Sequence, residues 1–112
     1  MFTASDVLTA LTRHIGQGNG ARADTLVAEI TGKPGPDRAN ERHLRQLITG
    51  LRMEGHHICA HPNHGYFIAA NDGELDATAR FLFERALSSL KQIAAMKRVS
   101  LPDLAGQLRI DL

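Results

Sequence analysis

Residues 40–69 constrain the fold of this chain more than any other stretch, because a helical pattern is followed at once by two short runs of β-forming residues. The helical part has apolar residues at the i, i+3, i+4 and i+7 spacing of a helix with one buried stripe, namely Leu44, Leu47, Ile48 and Leu51. Asn40 is the predicted N-cap, since a short amide can accept hydrogen bonds from the free N–H groups of the first turn. Gly55 is predicted to end the helix.

A tight antiparallel hairpin is predicted directly after this helix. Residues 57–60 and 65–69 are rich in β-formers, and residues 61–64 between them read His-Pro-Asn-His, a turn-forming cluster that a strand could not absorb. Because successive side chains of a strand point to opposite faces, Tyr66 and Phe67 are expected to pack on opposite sides. One would lie in the core and the other against a C-terminal helix.

Two further helices are predicted before this stretch. The first is capped by Ser5-Asp6, ends at Gly16, and has one apolar face formed by Val7, Leu8, Leu11 and Ile15. The second is expected over residues 23–30 and is ended by Gly32. Residues 33–37 read Lys-Pro-Gly-Pro-Asp and cannot be helical, because the two prolines remove backbone donors and restrict φ. They are predicted to form the turn between the second and third helices.

The order of helix, glycine, short strand, turn and aromatic strand resembles the winged helix-turn-helix DNA-binding domains, most of all small phage and prophage proteins of that class. The residues that carry the likeness are Glu41, Arg42, Arg45, Ile48, Leu51, Arg52, Gly55, Ile58, Gly65, Tyr66, Phe67 and Ala69. The N-terminal domain of biotin repressors shows a looser form of this pattern. The resemblance implies a mainly α fold with a small β-hairpin (α+β). Residues 1–70 would form the winged helix-turn-helix domain, with 40–54 as the recognition helix and 57–69 as the wing.

The resemblance also implies a non-enzymatic DNA-binding protein, either a phage or prophage transcriptional regulator or a replication accessory, with double-stranded DNA as its partner. At about 100° per residue, the side chains that point away from the apolar stripe are Arg38, Arg42, Arg45, Gln46 and Thr49. These residue types contact phosphates and base edges in the major groove. At the wing tip, His61, Asn63 and His64 are expected to meet the backbone or the minor groove. A solvated helix face and a solvated turn are the alternatives.

The charge of one segment favours DNA binding, whereas the net charge of the whole chain does not. The net charge is only +1, whereas many DNA-binding domains are strongly basic. Residues 38–52 nevertheless hold four arginines against Glu41 alone, which predicts weak, salt-sensitive contacts with a few phosphates. Arg52 lies beside the apolar stripe, where the carboxylate of Glu54 or Glu84 is a candidate partner. The near-neutral net charge favours an alternative function, that of a winged-helix protein-protein interaction module without DNA binding.

The hairpin region holds five potential metal ligands within nine residues: His56, His57, Cys59, His61 and His64. On a strand, His57, Cys59 and His61 would share one face, so a zinc site is one interpretation. Structural zinc sites usually draw their ligands from two separated pairs, so no metal and no cofactor are expected. The sequence has no nucleophile-base constellation and no phosphate-binding glycine loop, so an enzyme with a small-molecule substrate is not expected. The single cysteine is typical of a cytoplasmic protein, and no run is apolar enough to enter a membrane.

Residues 71–112 are predicted to form a helical extension used for dimerisation or packing. A long helix is expected to begin at Glu74, with a broad apolar face formed by Leu75, Ala79, Leu82, Phe83, Ala86, Leu90, Ile93 and Ala94. A helix of about 24 residues is roughly 36 Å long, too long to bury its whole stripe against so small a domain. A homodimer joined through this helix is therefore expected. The alternative is that the helix folds back on Tyr66, Phe67 and the first helix, while residues 101–112 cover the remainder.

Overall fold

The computed structural model describes residues 1–108 of the chain, and this part is mainly helical. Its elements are α1 (Ala4–Leu11), α2 (Ala23–Thr31), α3 (Arg38–Met53), β1 (Ile58–His61), β2 (Gly65–Ile68), α4 (Asp72–Lys97) and α5 (Leu101–Leu108). A single 3₁₀ turn, Gln17–Asn19, lies between α1 and α2. The predicted class, mainly α with one small antiparallel hairpin and a long C-terminal helix, is confirmed. The chain divides into two compact units, one covering Met1–Thr78 and one beginning at Ala79.

The core of the first unit lies between α1, α2 and α3. The side chains with almost no exposure in this core include Val7, Leu11, Leu26, Val27, Leu44 and Ile48. The predicted stripe of α3 faces inward, with Leu44, Ile48 and Leu51 buried and Leu47 partly buried. Full burial of one such aliphatic side chain contributes about 1.5–3 kcal/mol, so the stripe fixes which face of α3 is turned toward the other helices.

The N-cap of α3 is Asp37 and not Asn40, so the helix begins earlier than predicted. The Asp37 carboxylate accepts a hydrogen bond from the Asn40 backbone N–H at 3.0 Å, and the Glu41 carboxylate accepts one from the Asp37 N–H at 3.2 Å. Both acidic side chains therefore satisfy backbone donors that the first turn leaves free. At the other end Gly55 adopts a φ of +97°, so the predicted stop is confirmed.

Helix α1 also differs from its prediction at both ends. Thr3 is the N-cap and forms a reciprocal capping box with Asp6, so Ser5 lies inside the helix. The helix ends at Leu11, well before Gly16. Ile15 is consequently outside the helix and half exposed, where it forms an isolated parallel bridge with Ile68.

Strand β2 is paired along both of its edges. On one side it pairs with β1, with Cys59 opposite Phe67 and His61 opposite Gly65. On the other side, Ala21 exchanges two backbone hydrogen bonds with Tyr66, of 2.9 and 2.7 Å. Farther along this edge, the Ile68 N–H donates to the His14 carbonyl oxygen, and the Gly16 N–H donates to the Ile68 carbonyl oxygen, both at 2.8 Å. Residues 14–21, predicted to be helix end and loop, therefore support the hairpin.

Both faces of the hairpin carry buried side chains. Ile58 belongs to the helical core, and Tyr66 packs against that core as a partly buried side chain. Phe67 is buried on the opposite face, as predicted for two adjacent strand residues. Cys59 shares this second face and is also fully buried, and its Sγ donates to the Glu74 carbonyl oxygen in the first turn of α4, at 3.6 Å.

Helix α4 begins at Asp72, slightly before the predicted Glu74, because Asn71 caps it. The Asn71 side-chain oxygen accepts from the Glu74 N–H at 2.9 Å. The Glu74 carboxylate then accepts from the backbone N–H groups of Ala70 and Gln17, at 2.8 and 2.9 Å. These two hydrogen bonds, that of Ala70 first, lower the pKa of Glu74. The first turn of α4 is thereby joined to the hairpin exit and to the loop after α1.

The second unit contains the rest of α4 and the helix α5. A short last helix begins at Leu101, while residues 109–112 of the predicted extension lie outside the described residues. The buried side chains of the second unit are those of Ala94 and Leu104. Much of the predicted apolar face of α4 remains exposed, including Leu82 and Phe83. Among the described helices, none is both long enough and apolar enough to cross a membrane.

Candidate nucleic-acid interface

The outer face of α3 brings together the five helix residues that the sequence predicted for DNA contact. All five side chains are exposed: Arg38, Arg42, Arg45, Gln46 and Thr49. Four of them, Arg38, Arg42, Arg45 and Thr49, follow one another at i, i+4, i+7 and i+11, which places them in a single row along the helix. At 1.5 Å per residue, the three arginines span roughly 10 Å of helix length. The outer face therefore carries a compact row of positive charge.

The charge of this row is not neutralised within the part of the chain that the structure describes. The ion pairs found there join His14 to Glu29 and, more loosely, His56 to Glu54, and they include none of the three arginines. The two acids adjacent to these arginines in sequence, Asp37 and Glu41, each accept a hydrogen bond from a backbone N–H at the start of the helix. The guanidinium groups are consequently available to an external anion.

Thr49 has a more restricted chemistry than its residue type suggests. Its hydroxyl donates to the backbone carbonyl oxygen of Arg45, one helical turn earlier, at 3.0 Å. A hydroxyl has one proton and two lone pairs, so in this conformation Thr49 can accept a hydrogen bond from a ligand but cannot donate one. Gln46 lies beside this row and carries both an amide donor and an amide acceptor.

The tip of the hairpin presents the three predicted wing residues, of which His64 and Asn63 are exposed and His61 is partly buried. The His61 Nδ1 atom accepts from the Asn63 backbone N–H at 3.1 Å, so in the neutral ring the proton is on Nε2. The rings of His61 and His64 lie with their centroids 4.8 Å apart. The tip therefore holds two neighbouring imidazoles, one of which has its orientation fixed by the turn.

Among the described residues, Arg52 forms no ion pair with a carboxylate, which corrects the predicted pairing with Glu54 or Glu84. Its Nε–H donates to the Ile58 carbonyl oxygen at 2.7 Å, across the connection between α3 and β1. One terminal nitrogen, Nη2, is buried and has no hydrogen-bond partner in the described residues. Arg52 thus fixes the start of the hairpin relative to the end of α3 and is separate from the exposed arginine row.

The potential metal ligands of the hairpin are not gathered at one point. Cys59 is fully buried with its thiol directed to the Glu74 carbonyl oxygen, whereas His57 precedes β1 and is exposed. Within residues 1–108, no three side chains of the types His, Cys, Asp and Glu are arranged to hold a metal ion. In this part of the chain, the cysteine and histidine side chains named in the zinc interpretation are thus not brought together.

Sequence reasoning missed the residues that hold the hairpin in place. Glu74 was predicted only as a helix start, yet its carboxylate joins Ala70 to Gln17, which lies 57 residues away in the chain. His14 is similarly placed, with Nδ1 2.7 Å from the Asn19 carbonyl oxygen and Nε2 2.9 Å from the Glu29 carboxylate. These contacts depend on tertiary packing and have no local sequence signal.

Comparison of the chain with family models, with curated proteins and with solved structures finds no match in any of the three. Its function is therefore inferred from the chain's own residues, above all from the arginine row of α3 and the tip of the hairpin.

Proposed function

We propose that this protein binds double-stranded DNA, with α3 in the major groove and the hairpin lying as a wing on the backbone or in the minor groove. The observation that carries the proposal is the row of three exposed arginines that form no ion pair within residues 1–108, on a helix whose opposite face is fixed in the core. The major groove of B-DNA is about 12 Å wide and admits an α-helix. A cationic row on the outer side of such a helix gains free energy by releasing counterions from phosphates.

The residues of the outer face divide by chemistry. Arg38, Arg42 and Arg45 can bind phosphate oxygens, or guanine through its two major-groove acceptors. Gln46 can pair with the donor and acceptor of adenine. Because the Thr49 hydroxyl proton is already donated to a backbone carbonyl, Thr49 is suited to accept from the amino group of cytosine or adenine. The face is therefore able to read bases as well as to hold the backbone.

The wing contributes contacts of a different kind. In the neutral ring of His61, Nε2 carries the proton, and this N–H is available to a phosphate oxygen or to an acceptor in the minor groove. Asn63 and His64 are exposed beside it at the turn. Since β2 is hydrogen-bonded along both edges, the base of this tip is held firmly.

The biological setting that agrees best with the sequence likeness is a cytoplasmic phage or prophage protein, acting as a transcriptional regulator or a replication accessory. We further propose that it acts as a homodimer joined through α4. The exposed side chain of Phe83 continues into an apolar surface formed with Leu87 and Leu90 of the same helix, and a contiguous exposed apolar surface is unusual on a monomer. A twofold dimer would bring two α3 helices to a palindromic site, which adds affinity to a chain whose net charge is only +1.

The test is a DNA titration at two or more salt concentrations with wild type, Arg42→Ala, Arg45→Ala and the control Arg85→Ala, an exposed arginine on α4. Each α3 variant is expected to bind about tenfold more weakly, the effect of one lost charge-assisted hydrogen bond. If the arginine contacts phosphate, the slope of log K against log salt should fall by about 0.9 for each subunit bound, and so by about 1.8 for a dimer. Arg85→Ala should leave the slope of the wild type nearly unchanged.

Unchanged affinity and slope in both α3 variants would contradict the proposal. If the wild type shows no detectable DNA binding even at low salt, the second candidate is favoured, an interaction module without DNA binding. That candidate is supported by the net charge of +1 and by the apolar surface of the second unit.

A further inference from the structure

The second unit contains an open apolar groove of about 460 Å³. It is lined by apolar side chains only, which are Phe83, Ala86, Leu87, Leu90 and Leu101. Phe83 at one end is 66% exposed, so its ring stands out from the helix. The groove therefore combines a protruding aromatic side chain with an apolar depression of a size that a large side chain could occupy.

The charges beside the groove are arranged in a way that specifies what can cover it. Glu84 and Lys91 are seven residues apart, which places them within about 20° of each other on one flank of α4. Both are exposed, and neither forms an ion pair within the described residues. The other flank holds Ala79, Ala86 and Ile93 at the same spacing and has no charge at these positions.

We propose that a second copy of this chain covers the groove and that the two α4 helices run antiparallel. This inference rests on the homodimer proposed above and adds its orientation. In an antiparallel twofold pair, each flank meets the same flank of the partner with the sequence reversed. Glu84 then lies beside Lys91 of the partner subunit, and symmetry repeats the pair. In a parallel pair, the charged flank would meet the uncharged flank, and both charges would be left without partners.

The same register places apolar groups together. The twofold axis passes midway between Glu84 and Lys91, between Leu87 and Ser88. Phe83 of each subunit then lies at the height of Gln92 of the other, and the nearest groove-lining residue of that partner helix is Leu90, about 3 Å along the axis. The exposed aromatic side chain of one copy would thus occupy the groove of the other, which makes the surface complementary to itself.

Charge reversal tests the orientation. By analytical ultracentrifugation, Glu84→Lys and Lys91→Glu should each weaken the dimer by about tenfold, because two weak ion pairs are replaced by two like-charge contacts. The double variant Glu84→Lys/Lys91→Glu should restore the wild-type dissociation constant. A double variant that dimerises no better than the single variants, or single variants that dimerise as well as the wild type, would overturn the antiparallel arrangement.

Distances between spin labels give an independent measurement. Ser88 and Ala95 are both exposed, seven residues apart and on nearly the same face of α4. In the antiparallel dimer, the axial separation between equivalent labels should be about 1.5 Å at position 88 and about 22 Å at position 95, from a rise of 1.5 Å per residue. A parallel dimer would give equal separations at the two positions. Cys59 is fully buried, so unsubstituted protein serves as the labelling control.

A wild-type protein that remains monomeric at tens of micromolar would overturn both the dimer and its orientation. That result would leave DNA binding to be judged by the arginine variants of α3. A wild-type dimer that is insensitive to both charge reversals would overturn the orientation alone.

Discussion

Gly65→Ala is expected to destabilise the fold far more than Gly32→Ala, although the two glycines have nearly the same backbone conformation. Their φ angles are +77° and +73°, in the left-handed region that L side chains rarely adopt. At Gly32 an added Cβ would meet nothing within 4 Å. At Gly65 it would overlap the carbonyl group of Ala21 and lie 2.6 Å from the Arg22 nitrogen. Comparing the two variants therefore separates the free-energy cost of the left-handed backbone conformation from the cost of steric overlap.

The magnitudes follow from these contacts. The left-handed conformation costs about 1–2 kcal/mol for alanine, offset by about 0.4–1 kcal/mol through the unfolded state, so Gly32→Ala should cost about 1 kcal/mol. At Gly65 the overlap can be relieved only by moving Ala21 away from β2, which breaks its two hydrogen bonds with Tyr66. At about 1 kcal/mol each, these losses bring the cost of Gly65→Ala to about 3 kcal/mol. That is a large part of the roughly 5–15 kcal/mol by which small domains are stable.

The assay is urea denaturation followed by far-ultraviolet circular dichroism, with the free energy of unfolding extrapolated to water. The slope with respect to urea should be the same for both variants, so that the difference in midpoint reports stability. Equal losses for Gly65→Ala and Gly32→Ala would refute the close approach of residue 21 to the hairpin. A smaller loss at Gly65 than at Gly32 would refute it more strongly.

Three further substitutions, at Glu74, Asp37 and Asn40, test contacts at helix ends. The pKa of Glu74 is lowered from its ordinary value of 4.5 by the backbone N–H groups of Ala70 and Gln17, so its stabilising contribution is present above that value and is lost as the pH falls through the lower folded pKa. Glu74→Gln should therefore reduce the melting temperature at pH 7 and make it less dependent on pH below about 5; a pH dependence identical to that of the wild type would contradict this. Asp37→Ala should cost about 1 kcal/mol, as expected for a lost N-cap, and Asn40→Ala should cost less in the same urea assay. A larger loss at Asn40 would contradict the assignment of Asp37 as the cap.

The faces of the helices could be predicted from the sequence because they depend on periodicity alone. The spacing of Leu44, Ile48 and Leu51 identifies the buried side of α3 without knowledge of what packs on it. The exposure of Arg42 and Arg45 follows from the same geometry. Hairpin position was also predictable, since a Pro-Asn turn between two β-forming runs is a local signal.

The precise helix ends and the support of the hairpin could not be predicted in this way. Asp37 and Asn40 are both good N-caps by residue type, and the choice depends on which one the neighbouring chain leaves in an extended conformation. The pairing of Ala21 with Tyr66 joins segments that are distant in sequence, and Ala21 carries no turn or strand signal of its own. The hydrogen bond from Gln17 to Glu74 likewise exists only after both segments have packed.

The burial of Cys59 gives the molecule an intrinsic reporter of its local opening. Its thiol lies between the second face of the hairpin and the first turn of α4 and has no exposed surface. A thiol reagent in solution can therefore reach it only when these segments separate, either locally or through complete unfolding. Since no other cysteine is present, the rate of modification measures how often this one junction opens. The same measurement on DNA-bound protein would report whether a ligand held by α3 and the wing slows that opening.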